Sequence, residues 1–507
     1  MAISFNDVPS TARASQNFIE LAGVKRSLAD LFIPPTGGLI GQYDVSKTAT
    51  VDYLPVKVVS ADDVGSKFGF GSQIHRMALA MENKTPGVFL QGGGIYCFPL
   101  PEDGGGTAAT DTVTFTGTAT SAGTLYFLIG GDLIQVAVSI GDTATNVGDA
   151  YDTAVAAKQN LPITSNNVTG TVTNTAKGKG TYGNFIKVVT NPAGDVQENK
   201  NPAGITVAIG NVDGFLSGGA TDPSVEDVFF SSGSDNLGDR WYTAFNVPLV
   251  DATNLAFHTS SADLRKDPAV NRMFVNVAGY QKQTYTQADA LPATINSEYV
   301  WPVWENELYS PQWELSAAAL GQYLDNQGQA PNRPLKTLET GLYVNPEKVN
   351  MNYTSKNTLF DDGMSYCYLD SAGLLRFGDQ ALSRRTNDAG GEDTSWYDVQ
   401  SICLRQAKAY SLEQLFLTDK YERAVVVSDT DVTGIDYAIA PKDVVADIQK
   451  LIQDLWLPYA WTKNGDTVLE TVAAEINSSY NSRIDAELTD DPAMALRIIA
   501  LSAKFLY

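Results

Sequence analysis

The chain has 507 residues, 43% hydrophobic and 18% charged, with 35 Lys and Arg against 58 Asp and Glu and a net charge of −23. That length is too great for one core and predicts several domains in a folded, soluble protein. The acidity, with no run of Lys or Arg, argues against a surface built for nucleic acid or anionic membrane. The first predicted element is the strand MAISFNDVP, with Ile3 and Phe5 on one side and Ser4 and Asn6 on the other. The small polar stretch PSTARASQN that follows reads as linker. No basic stretch leads into an apolar core, so no signal peptide is expected. No apolar run is long enough to cross a membrane.

Residues 25–104 read as α/β. GGLIGQYDV is a short strand. SADDVGSKFGFGSQIHRMALAMEN has Ser60 and Asp62 as capping residues, then Ile74, Met77, Ala78 and Met81 at helical spacing. PGVFLQGGGIYCFPLP returns as a strand. At PEDGGGTAAT the composition changes, and residues 105–221 are rich in Thr, Gly and Val. VTFTGT, TLYFLIG, DLIQVAVSIG, NVTGTVTNT, NFIKVVT and GITVAIG are strand-like, with one helix at NVGDAYDTAVAAKQN. The loop-like borders DGGG and SGGATDP predict an inserted, mainly-β domain.

The α/β pattern resumes over residues 222–330, with a strand at YTAFNVPLV, a helix started by Asp251 at DATNLAFHTSSADLRK, and a strand at NRMFVNVAG. Residues 331–507 form the last predicted domain. TLFDDGMSYCYLDSAGLLRFG reads as turn, strand, SAG turn and strand, and WYDVQSICLRQAKAYSLEQLFLTDKY as a long helix. PKDVVADIQKLIQDLWLP starts with Pro441 and sets Val444, Val445, Ile448, Leu451, Ile452 and Leu455 on one face. TVLETVAAEINSSY is amphipathic, and its Val468, Val472 and Ile476 are expected in the core. SRIDAEL alternates, TDDP turns, and AMALRIIALSAKFLY runs out as a last strand in which Leu501, Ala503, Phe505 and Tyr507 share a face, its partner being either SRIDAEL in the same subunit or another copy of the chain.

Catalytic chemistry is sparse. The two histidines, His75 and His258, lie in helical or apolar patterns that suit packing or surface roles. Cys97, Cys367 and Cys403 show no CxxC spacing and are expected as buried free thiols. The carboxylate pairs Asp361/Asp362, Glu392/Asp393 and Asp490/Asp491 sit beside turn residues and read as turns or caps. GKGTYG, residues 178–183, fits the dinucleotide glycine pattern, but strand-like NFIKVVT follows it where a helix is required. No GxxxxGK[ST] loop occurs. Neither an enzyme nor a cofactor or metal site is expected.

Several short segments, in order, resemble the contractile tail sheath proteins of Mu-like bacteriophages. They are ISFNDVP; GLIGQ with KFGFGSQIHRMA; GTATSAGTLYFLIGG with LPIT and KGTYGN; then APNRPLKTL, NTLFDDGMSYCYLDSAGLLRF and TSWYDVQSICL. The resemblance covers nearly the whole chain. It departs at Ala330, Pro331, Asn332, Arg333 and Pro334, where the family commonly has an Asp-Pro-Ala-Arg-Pro-like run.

The resemblance implies a multidomain α/β (α+β) fold, a mixed-sheet sheath core with an inserted mainly-β outer domain (105–221) and extended terminal arms, the first over residues 1–24. It implies a homo-oligomeric helical sheath of stacked six-fold rings around a tail tube protein. A baseplate would stand at one end and tail terminator or neck proteins at the other. Contraction would drive the tube through the target envelope for genome ejection, with no direct nucleic acid contact and no membrane insertion. The expected setting is the virion tail, assembled in the host bacterial cytoplasm. Terminal strands (Ile3, Phe5; Leu501, Ala503, Phe505, Tyr507) would pair with a neighbour's C-terminal domain. The alternative is another phage tail structural protein or a carbohydrate-binding adhesin. Against the adhesin, the insertion has no Trp and spreads Tyr126, Tyr151 and Tyr182 apart.

Overall fold

The computed structural model describes residues 28–47, 54–192, 201–328, 330–431, 435 and 437–497. Its centre is an eight-stranded sheet. The strand order is Leu375–Phe377, Ser365–Leu369, Val300–Trp304, Val275–Tyr280, Ala244–Val247, Thr36–Gln42, Gly94–Leu100 and Val56–Val58. The six inner strands are mutually parallel, and the outer two are antiparallel to their neighbours. Inner strands buried on both faces carry continuous apolar runs such as VNVAGY and VWPVW, not alternation.

Helices Gln73–Lys84 and Gln312–Gln327 pack on one face. Glycines on the central strand let them approach: a Cβ on Gly37 would sit 2.5 Å from Leu324 Cδ1, and one on Gly41 2.3 Å from Met77 Cε. The other face joins Val247, Ala278, Tyr280 and Val300 to Leu255 and Ala288 of helices Ala252–Arg265 and Tyr285–Ile295.

The strands between Thr110 and Ile209 stay out of this sheet and form two antiparallel ones. Helix Ala144–Ala157 closes over them, and Tyr151, Phe115 and Phe127 meet in the space between. Arg76 ties this part to the main body. Its guanidinium donates to Glu314 Oε1 (2.8 Å), to the Gly130 carbonyl (2.9 Å) and to Asp132. Trp313 Nε1 also donates to the Tyr182 carbonyl (3.2 Å), and one apolar core runs through both parts.

The structure differs from the sequence reading at definite points. The segment after Ser60 is two helices, Ala61–Phe68 and Gln73–Lys84, because Gly69 and Gly71 take positive φ between them. Ser60 is the cap, accepting the Asp63 N–H at 3.1 Å; Asp62 lies in the first turn. NVTGTVTNT is a hairpin, turned at Thr169 and Gly170 with φ of 52° and 89°. TLFDDG is not a turn alone, since helix Tyr353–Asp361 precedes the strand. Elements stand where none was predicted, among them Val56–Val58, Tyr285–Ile295, Val300–Trp304 and Gln312–Gln327.

Candidate inter-subunit strand site

The C-terminal part is built on two helices. Helix Val399–Phe416 is capped by Asp398, which accepts the Ser401 N–H at 2.9 Å. Helix Pro441–Leu451 starts with the proline that needs no N–H partner and continues through a wider turn, Ile452–Trp456. Their apolar sides enclose a second core of Leu404, Ala407, Ile448, Leu451, Ile452, Leu455, Trp456 and Trp461. Trp456 Nε1 finds Ser411 Oγ at 3.0 Å. Ile33 also belongs to this core, and Phe32 packs edge-on to Tyr459 at 4.9 Å. The earliest described residues are thus rooted on the C-terminal part before the chain enters the central strand of the main sheet.

On helix Pro441–Leu451 lies a two-stranded ribbon, Ala473–Ile476 antiparallel to Ile484–Glu487, with Ala474 opposite Ala486 and Ile476 opposite Ile484. Ala474, Ile484 and Leu488 lean on the second core, while Ala473, Glu475, Ala486 and Glu487 are exposed. Asn477 organises the turn: its Oδ1 accepts from Ser479 and Tyr480, and its Nδ2 donates to Asp485 (2.7 Å). Hydrogen bonds from Asn477 and Arg483 hold the Asp485 carboxyl below the usual carboxylate range. A cleft of about 350 Å³ is lined by Ala473, Ala474, Glu475, Asp485, Ala486 and Glu487. Among the described residues no third strand pairs with the ribbon. Two strands alone are marginal in water, and each open edge presents unpaired N–H and C=O groups. The alanines leave that backbone uncovered.

The strand residues singled out in the sequence, Ile3, Phe5, Leu501, Ala503, Phe505 and Tyr507, lie outside the described residues. SRIDAEL pairs on one edge with Ala473–Ile476, and its pairing with the last strand lies outside the described residues. TVLETVAAEINSSY is a short helix, Gly465–Glu470, followed by that strand; Val468 and Val472 are buried and Ile476 half-buried. The ribbon itself was missed as a unit, and the signal that pointed to it was the alternation in SRIDAEL.

The remaining candidates for chemistry serve packing. His75 Nδ1 accepts the Gly71 N–H at 3.0 Å, and His258 Nδ1 lies 2.8 Å from Asn276 Oδ1. Burial pushes each imidazole down to about 4. The three cysteines are free and buried, and burial pushes their thiols up. Asp490 is more than a turn residue: its carboxylate meets the buried Lys408 ammonium. The last half of GKGTYG lies in a short 3-10 helix, Thr181–Phe185, and the strand Val188–Thr190 follows. Among the described residues there is no cluster of three metal-ligating side chains, and no helix is long and apolar enough to cross a membrane.

No protein-family profile matches the chain. It is 25% identical over 513 residues to the Mu-like prophage FluMu tail sheath protein of Haemophilus influenzae, covering 100% of both chains. Among solved structures it is similar to a sheath tail protein of Desulfitobacterium hafniense (TM-score 0.48, 11% identity, 95% of this chain and 98% of that one). It is also similar to the contracted sheath complex of an extracellular contractile injection system (TM-score 0.44, 9% identity, 97% and 98%). The chain is a full-length relative of a Mu-like tail sheath protein, in keeping with the resemblance carried by its ordered short segments.

Proposed function

We propose that the chain is the structural subunit of a contractile tail sheath. It polymerises with itself as stacked six-fold rings around a tail tube, between a baseplate and terminator or neck proteins. It contracts to drive the tube through a target cell envelope so that the genome is ejected. The observation that carries this reading is the full-length similarity to a tail sheath protein. The ribbon supports it, because a short sheet with open edges on a packed helix is a ready acceptor for an added strand.

In this reading residues 1–24 are an arm whose Ile3 and Phe5 dock on another copy, and the end carrying Leu501, Ala503, Phe505 and Tyr507 does the same. Such a contact joins two different surfaces and does not close, so it generates a helical polymer. Residues 25–104 and 222–330 form the sheath core, 105–221 an outer domain, and 331–507 the receiving domain. The subunit catalyses no reaction and needs no cofactor; contraction releases energy stored at assembly, across a barrier between two arrangements. Assembly takes place in the host cytoplasm. Electron microscopy of the purified chain tests the proposal: tubes with helical order are expected, whereas discrete monomers or trimers would favour an adhesin.

A further inference from the structure

The described residues beyond the ribbon do not pair with it. Residues 488–497 cross helix Val399–Phe416 in the opposite direction, without regular structure of their own. At the start, Asp490 accepts from Lys408 and from Thr462 Oγ1 (2.8 Å). At the finish, Arg497 donates to Asp398, the residue that caps the same helix, and its guanidinium lies 4.2 Å from the Phe360 ring centre.

Just past the first anchor Asp491 is still tied down, its carbonyl accepting the Lys463 N–H at 2.9 Å and its carboxylate the Asn464 Nδ2 at 2.6 Å, and only towards Arg497 does the hold weaken. The Ala493 N–H reaches the Trp461 carbonyl at 3.2 Å, and Asn332 and Lys336 each reach one carbonyl at 3.3 Å. The large side chains point outward, with Met494 58% and Leu496 66% exposed. A small void bordered by Leu404, Arg405, Ala493 and Ala495 lies beneath. A segment that buries so little apolar surface is held by its polar ends. The Arg497 end hydrogen-bonds Asp398, whereas Asp490 at the other end is bonded by both Lys408 and Thr462.

We infer that residues 494–497 are stored slack and that the Arg497–Asp398 pair is the latch that keeps them stowed. Opening the latch leaves the helix intact, because Asp398 still accepts the Ser401 N–H, and Arg385 still acts on its charge. It frees four residues, about 13 Å of extended chain. The use of that slack rests on the sheath reading: links between subunits that change their spacing must lengthen or break.

The test uses the purified full chain with Asp398→Asn, which keeps a capping acceptor and removes the charge. Trypsin cleavage at the Arg497–Ile498 bond should run about tenfold faster than in the wild type, because cleavage tracks the open population. Arg497→Gln gives an independent measurement, with the Ala493 amide expected to exchange faster at an unchanged thermal midpoint. Equal cleavage rates, or unchanged exchange, would overturn the latch. Tubes from the wild-type chain with unaltered rates in the variants would overturn the slack and leave the sheath reading standing. Absence of tubes would overturn the sheath reading, and with it the purpose of the slack, while altered rates would still establish the latch.

Discussion

His258 shows how a residue type associated with catalysis becomes a cost of folding. It is wholly buried against Phe229 and Asn276, and burial pushes it down to about 4. The unfolded imidazole takes its proton near 6.5. Between those values the unfolded state binds more protons, so this residue's contribution makes stability fall as pH falls from 6.5 toward 4. The full effect is about 3 kcal/mol. His258→Gln should flatten that part of the profile in urea titrations between pH 4.5 and 7, and identical slopes would contradict it. Lys408 makes the complementary point. Its ammonium is buried beside Trp456 and met by Asp490. Removing one partner strands the other charge, so Lys408→Met alone should cost about 3 kcal/mol. The double variant with Asp490→Asn should cost less than the sum of the two single changes; strict additivity would show the pair to be independent.

At the scale of elements, most of the main sheet was legible because its strands are short apolar runs bounded by Gly, Asn or Asp. Two neighbours were not, for physical reasons. VWPVW carries Pro302, which removes a ladder donor and reads against a central strand. Helix Gln312–Gln327 is buried on nearly every side, so it shows no apolar stripe to mark it. The ribbon was half legible: SRIDAEL alternates, but AAEI is four residues long and alanine-rich, and it follows Val468 and Val472 at helical spacing. The terminal arms belong to this scale too. Burying Ile3 and Phe5 on another copy would contribute roughly 1.5–3 kcal/mol each, with about 1 kcal/mol net per backbone bond. One such link is modest, but repetition through a lattice makes it decisive. Deleting residues 1–15 should therefore leave the subunit's melting temperature nearly unchanged and abolish ordered tubes. Normal assembly of the truncated chain would assign the joining strand to the other end.

For the whole molecule, continuous contacts join the described parts. The Arg76 cluster and a continuous apolar core join the strands between Thr110 and Ile209 to the main sheet, and the second core joins the ribbon to the root of the N-terminal segment at Phe32. A subunit joined in this way suits a polymer in which subunits turn while their strand links persist. With no phosphate-binding loop in the sequence, extended tails exposed to mild denaturant or acid should contract in nucleotide-free buffer, and a strict ATP requirement would contradict that. The central claim is that the ribbon is completed by strands of other copies. A cryo-electron microscopy reconstruction of the assembled chain measures this directly. The account predicts helical tubes in which Ala473–Ile476 and Ile484–Glu487 are flanked by added strands from neighbouring subunits, one of them carrying Ile3 and Phe5. Tubes in which the ribbon stays two-stranded, with both edges open to solvent, would contradict it.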